Sequence, residues 1–200
     1  MSILGLLCFR KFNDIWIKFT EVYNLNDLYF YEKSGVKNIC LSLSKIIISR
    51  INSNDIQLIL DDRLKDHIIN GKICSNDLSI VMITKHKYSN SVLIKFFDEI
   101  EKICRKQNNL WNTVKIDQII NFPDINIIVN KYSDINNVDK ISLINNELDQ
   151  VKIVLIDNID KILNRGEKIE DLLEKSEDLE NSSRIFIQKT EELNSCCNIL

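Results

Sequence analysis

The stretch KILNRGEKIEDLL, residues 161–173, combines the apolar spacing of a helix with a permanent charge in the apolar row. Ile162, Ile169 and Leu172 recur at helical spacing. Arg165 falls in the same row. An arginine on a buried helical seam costs stability unless its five N–H donors are satisfied, so it indicates a seam that sets register or partner choice. The alternative is an arginine that extends out of the seam into solvent.

The apolar row continues in both directions from Arg165 at alternating steps of three and four residues. This 3.5-residue repeat is typical of a coiled coil rather than of a helix on the surface of a globule. A helix of about 53 residues would be roughly 80 Å long, so we expect it to bind partner helices. Besides Arg165, this heptad row consists of Ile141, Ile144, Leu148, Val151, Leu155, Asn158, Ile162, Ile169, Leu172, Ser176, Leu179, Ser183, Phe186, Thr190 and Leu193.

The first 132 residues have a different pattern, with short β-rich runs between amphipathic stretches. The predicted strands are 2–10, 14–23, 56–60, 67–74 and 78–86; the predicted helices are 35–51 after a Ser34 cap, 89–107 after Ser89 or Asn90, and 123–132 with proline in its first turn. The order β-β-α-β-β-β-α-α predicts an α+β domain over residues 1–132. A polar linker at 133–140, a helical region at 141–194 and a tail at 195–200 follow.

Composition excludes several classes of function. The net charge of −3, without a basic cluster among aromatics, argues against nucleic-acid binding. No apolar run approaches the roughly 18–20 residues of a membrane span, and the N-terminus lacks the features of a signal peptide. The six cysteines are therefore expected to be thiols in a reducing compartment. No nucleotide-binding, metalloprotease or C-x-x-C motif is present, so neither an enzyme nor a metal site is predicted.

The chain ends in NSCCNIL, residues 194–200, and its last four residues fit a C-a-a-X box. Prenylation would fall on Cys197, and the terminal leucine favours geranylgeranyl over farnesyl. One lipid chain gives only reversible membrane attachment, so a stable anchor requires a second signal. Cys196 is the available site, since no polybasic patch flanks the tail. The alternative is an accidental pair of cysteines.

The segment LNRGEKIEDLLEKSEDL, residues 163–179, with its flanking heptads resembles the R-SNARE motif, and Arg165 matches the position of that family's central arginine layer. The order of elements upstream is similar to that of a longin domain. This resemblance implies a profilin-like α+β fold with a five-stranded antiparallel sheet flanked by helices, followed by a long coiled-coil SNARE helix. A longin R-SNARE that ends in two cysteines resembles the prenylated, YKT-type synaptobrevin homologues, and the resemblance covers the whole chain.

The resemblance implies a role in intracellular membrane fusion. The R-SNARE helix of that family forms a parallel four-helix bundle with three Q-SNARE helices, and SNARE-disassembly machinery acts on it. Arg165 would meet three glutamines, and the rest of the heptad row would form the other layers. The family also implies a palmitoyl or second prenyl group on Cys196, no cofactor beyond such lipids, and a location in the cytosol and on the cytoplasmic face of Golgi, ER, endosome or vacuole membranes.

In related proteins the longin domain folds back on the SNARE helix and hides the lipid. We expect the corresponding groove on the helix predicted at 35–51, at Val36, Ile39, Leu43 and Ile46. The competing hypothesis is a lipid-anchored longin adaptor whose coiled coil self-associates without a role in fusion. Arg165 favours the R-SNARE, because an adaptor coil has no use for a charge on its seam.

Overall fold

A computed structural model of the chain describes residues 3–26, 29–51, 54–61, 67–75, 77–134 and 152–174. These residues form a mixed six-stranded sheet with helices on both faces, which confirms the predicted α+β class. The strands are β1 (Ile3–Phe12), β2 (Ile15–Tyr23), β3 (Ile56–Ile59), β4 (Ile68–Ser75), β5 (Leu78–Thr84) and β6 (Ile153–Ile156). The helices are α1 (Phe30–Arg50), α2 (Asn90–Lys106), α3 (Asn108–Trp111), α4 (Pro123–Ser133) and α5 (Ile169–Glu174), and a 3-10 helix spans Ile159–Ile162.

The strand order is β2-β1-β5-β4-β3-β6. The first five strands pair antiparallel, as predicted. The hairpin between β1 and β2 turns through Asn13 and Asp14, whose φ angles are 50° and 62°. Two consecutive residues with positive φ give the turn whose twist matches that of the flanking strands. Among the strands of the described ranges, β3 and β6 form the one parallel pair, because β6 arrives from far along the chain rather than through a hairpin.

Two apolar cores lie on opposite faces of this sheet. On one face, α2 and α4 cover a core in which the Phe19 ring stacks on Trp111 with centroids 5.0 Å apart, and the Trp111 indole donates a 2.8 Å hydrogen bond to the Cys104 carbonyl. On the other face, α1 covers a core that includes Phe9 and Ile47. Since both faces are covered, the edges of the sheet decide where a further segment can bind.

One edge of the sheet is closed by a loop. The amide of Lys18 on β2 donates to the Asp117 carboxylate at 2.9 Å, and the amide of Ile120 donates to the Phe19 carbonyl at 2.7 Å. A loop that covers a strand edge prevents it from pairing with another strand. The edge at β3 is therefore the one that accepts β6.

The N-terminal elements differ from the prediction mainly at their ends. Helix α1 begins at Phe30, so Ser34 lies within it and is not its cap, which corrects that prediction. Side-chain capping is a preference that tertiary packing overrides. Ser89 precedes α2 without a capping hydrogen bond from its side chain, whereas α4 starts at Pro123 as predicted. No helix in the described ranges is sufficiently long and apolar to cross a bilayer.

The C-terminal part departs most from expectation. Residues 152–168 contain β6 and the 3-10 helix, so the prediction of one continuous helix is wrong for them, and the sheet has six strands rather than five. A heptad seam needs partner helices to bury it. In the single chain, the unpaired edge of β3 instead offers hydrogen bonds to the run IVLI, which is rich in β-forming residues.

Candidate functional site

The candidate site is a groove between α1 and the β3 edge, and residues 152–174, here called the docked segment, occupy it. The α1 residues predicted to form a groove, Val36, Ile39, Leu43 and Ile46, all belong to the apolar cluster on this face. The docked segment contributes Ile156, Ile159, Ile162, Leu163 and Ile169 to the same cluster. The structure therefore brings the predicted groove and part of the predicted SNARE region into one apolar cluster.

The first anchor of the docked segment is its parallel pairing with β3. The amide of Ile56 donates to the Lys152 carbonyl at 3.1 Å, and the amide of Leu60 donates to the Ile156 carbonyl at 2.8 Å. Ile156 is 9% exposed and points into the α1 core, whereas Ile153 packs against the core under α2. The alternation of a strand thus lets one short element contact both cores.

The second anchor is a carboxylate at the start of the 3-10 helix. Asp61, just beyond β3, is buried and accepts a 2.9 Å hydrogen bond from the Ile159 amide. Beside it, the Asn158 side chain accepts from the Asp160 amide at 2.7 Å. A carboxylate at a helix N-terminus satisfies an unpaired N–H and meets the positive end of the helix dipole. Ile159 itself is only 1% exposed.

The third anchor is the turn at residues 164–167. The Glu167 carboxylate accepts from the Asn164 amide at 2.9 Å and the Asn164 side chain at 3.1 Å, and the Arg50 guanidinium contacts both carboxylate oxygens at 2.9 Å. The backbone N–H of Asn164, followed by its side chain and Arg50, holds the pKa of Glu167 below its usual value. Gly166 has a φ of +90°, which ends any helical path here and leaves Arg165 exposed.

The heptad row does not share one environment in this structure. Ile169 is buried and Ile162 and Leu172 are half-buried, whereas Leu155, Asn158 and Arg165 are exposed. The docked segment therefore buries part of the predicted seam and leaves its central arginine in solvent. The remaining predicted positions lie outside the described residues: Ile141, Ile144, Leu148, Val151, Ser176, Leu179, Ser183, Phe186, Thr190 and Leu193 of the row, and the lipidation sites Cys196 and Cys197.

Several residues that hold the segment were not singled out from the sequence. They are Ile156, Ile159 and Leu163, which lie off the heptad row, and the polar residues Arg50, Asp61 and Glu167. The β-rich run IVLI and the apolar residues outside the heptad row could have indicated that the three apolar residues are buried. No sequence pattern marks the polar group, because its contacts join positions about 100 residues apart.

Other chemical groups of the described ranges have structural surroundings. Those ranges contain no cluster of histidine, cysteine and acidic residues suited to a metal ion. Cys8, Cys40 and Cys104 are buried free thiols, and Cys74 is a half-buried one. Burial, with a contribution from the Glu21 carboxylate, raises the pKa of Cys40 to about 12. Such a thiol is an inert core residue rather than a nucleophile.

Known proteins resemble this chain over its whole length. Residues 140–198 match the synaptobrevin family. The chain is 30% identical to the VAMP-like protein YKT61 of Arabidopsis thaliana over 203 residues, which cover 100% of this chain and 98% of that protein. It is 28% identical to the synaptobrevin homolog YKT6 of Saccharomyces cerevisiae over 204 residues, covering 100% of both, and 29% identical to that of Debaryomyces hansenii over 188 residues, covering 92% of both.

Proposed function

Because this chain belongs to the YKT-type synaptobrevins, a family of SNARE proteins, we propose that it is an R-SNARE that drives fusion of intracellular vesicles with their target membranes. In this proposal residues 141–194 join three Q-SNARE helices in a parallel four-helix bundle. Arg165 lies at its centre opposite three glutamines, whose carbonyl oxygens suit its five donors. The other positions of the heptad row form the apolar layers.

One observation carries the proposal: Ile162 and Ile169 of the heptad row lie in the groove against α1. A bundle needs the same two side chains on its seam, so groove and bundle exclude each other. Residues 1–132 act in this proposal as a longin domain that restrains the SNARE segment, and residues 133–140 act as the linker between them. The docked segment is then the resting form, and assembly begins when it leaves the groove.

Apolar burial is the main force that opposes assembly. Ile156, Ile159 and Ile169 are 9%, 1% and 4% exposed, and burial of one such side chain contributes about 1.5–3 kcal/mol. The N-terminal domain is net positive and the C-terminal region net negative, but exposed charges more than about 8–10 Å apart are screened at physiological salt. The restraint therefore depends on shape and apolar area more than on overall charge.

The membrane anchor in this proposal is the lipidated tail. Cys197 carries a prenyl group, and Cys196 carries a palmitoyl or second prenyl group, because a single chain attaches only reversibly. The protein would then exchange between the cytosol and the cytoplasmic face of endomembranes of the Golgi, ER, endosome or vacuole. SNARE-disassembly machinery would return it to the docked form, and no cofactor takes part.

The test is assembly of the purified full chain with three Q-SNARE helices, followed by circular dichroism and thermal melting. Arg165→Gln should lower the melting temperature of the complex, and exchanging one partner glutamine for arginine should restore it. Lys168→Gln is the matched control, since it removes the same charge from an exposed position off the heptad row. If neither Arg165→Gln nor its compensating change alters the melting temperature of the complex, or if the chain only self-associates, the adaptor hypothesis replaces this one.

A further inference from the structure

An ion pair joins the N-terminal domain to the docked segment at the turn of residues 164–167. Arg50, in the last turn of α1, contacts both carboxylate oxygens of Glu167 at 2.9 Å, and each side chain is 28% exposed. Both contacts come from one guanidinium nitrogen, Nη2, and a charge-assisted contact in a partly dehydrated place is stronger than one between fully exposed charges. Glu167 is further fixed by two hydrogen bonds from Asn164, so its carboxylate is positioned before Arg50 binds it.

Neither partner belongs to the heptad row. Arg50 lies in the N-terminal domain, and Glu167 lies two residues beyond Arg165, on the outer side of a helix that follows the row. A bundle therefore has no place for this pair on its seam. The Arg50–Glu167 contact can stabilise the docked form without a counterpart in the assembled form.

We propose that the Arg50–Glu167 ion pair is a latch that sets how often the docked segment leaves its groove and makes that opening sensitive to ionic strength. The inference deepens the proposed function and rests on it for one consequence, that the open segment is the form that assembles. The hydrogen bonds of the latch are incomplete. The Arg50 Nε is buried with no hydrogen-bond partner, so the pair holds the segment less firmly than a fully satisfied arginine would.

Hydrogen exchange of the unassembled full chain tests the latch without any partner. The amides of Ile56, Leu60 and Ile159 donate across the interface and report its opening, while the amides of β1 and β5 report the fold. At low salt, Glu167→Gln should raise exchange of the three reporter amides about fivefold and leave the central strands unchanged. In the unaltered chain, raising the salt to about 1 M should produce most of the same increase, because the screening length falls to about 3 Å.

A double-mutant cycle separates the pair from its surroundings. Arg50→Gln should match Glu167→Gln, and the double variant should exchange no faster than either single one. Asp157→Asn is the matched control: it removes the same charge from the docked segment, but its partner Lys161 lies in that segment too, so exchange should stay unchanged. Additive effects, an equal increase in Asp157→Asn, or exchange independent of salt would overturn the latch. A salt-sensitive latch in a chain that binds no Q-SNARE helices would instead refute the proposed function alone.

Discussion

Replacement of Gly166 is expected to act on both forms of the segment, destabilising the docked form and stabilising a helical one. In the docked form its φ is +90°, and nothing lies within 4 Å of the place where a Cβ would be. An alanine would meet no neighbour there, so the whole cost comes from its own backbone. In a bundle the same residue would be helical, where alanine is better than glycine. Gly166→Ala should therefore disfavour docking and favour assembly at once.

The size of the shift follows from these two terms. A left-handed conformation costs a residue other than glycine roughly 1–2 kcal/mol, and glycine costs a helix about 1 kcal/mol relative to alanine. Together they move the balance between docked and helical forms by roughly 2–3 kcal/mol. Since every 1.4 kcal/mol or so is a factor of ten, the helical form should gain about 30- to 150-fold. The glycine that follows Arg165 is therefore expected to favour the docked form over a helical one.

The assay is the rate at which the full chain assembles with fluorescently labelled Q-SNARE helices. Gly166→Ala should approach the assembly rate of the isolated segment 141–194, which has no N-terminal domain and therefore no groove to dock into. Gly166→Asn is the control, because asparagine tolerates the left-handed region better than alanine and is a poorer helix former. The rates should rise in the order glycine, asparagine, alanine. Equal rates for asparagine and alanine, or no acceleration by alanine, would refute the reasoning from backbone conformation.

Five further outcomes follow from the groove and the tail. Because the Ile159 side chain is 1% exposed, Ile159→Ala should weaken docking by about 2–5 kcal/mol. The variant should therefore assemble faster with the fluorescently labelled Q-SNARE helices. Asp61→Ala should remove the acceptor of the Ile159 amide and weaken docking by about 0.5–2 kcal/mol, measured as faster exchange of that amide; unchanged exchange would contradict this role. Cys197→Ser should shift the protein to the soluble fraction on membrane pelleting, and Cys196→Ser should leave a partly bound pool. Cys40 should resist iodoacetamide at pH 8 until urea unfolds the chain, because its pKa of about 12 keeps the thiol protonated; alkylation of the folded protein would refute this.

The N-terminal fold was predictable because each of its elements has one environment. Strands such as β5 lie between two cores and are buried at every position. Helix α2 has a continuous apolar face, and its predicted range of 89–107 exceeds the observed one by only a residue at each end. Pro123 marks the start of α4, where its missing N–H costs nothing. At these positions the local sequence pattern agrees with the burial in the folded chain, and such agreement allows the structure to be predicted from the sequence.

The docked segment was not predictable in the same way, because two patterns overlap in it. The heptad row is long and regular, and it favours a helix over residues 141–193. The strand β6 depends on an edge of β3 that exists only once the N-terminal sheet has formed. Likewise, the contacts of Asp61 and Arg50 with the segment are made across about 100 residues. A periodicity read along the chain carries no information on which distant edge is free.

In the proposed function, the two overlapping patterns explain how the segment can change form. If it served only a bundle, positions off the heptad row would face solvent and would be expected to be polar. Ile156, Ile159 and Leu163 are apolar at such positions, and the groove buries or half-buries all three. In turn Leu155 of the row is 56% exposed in the docked form, and the charge of Arg165 lies in solvent. Each form therefore exposes side chains that the other would bury, so neither can reach the stability of a segment built for one purpose. In the proposed function, this compromise keeps the two forms close enough in free energy for the binding of partner helices to shift the balance between them.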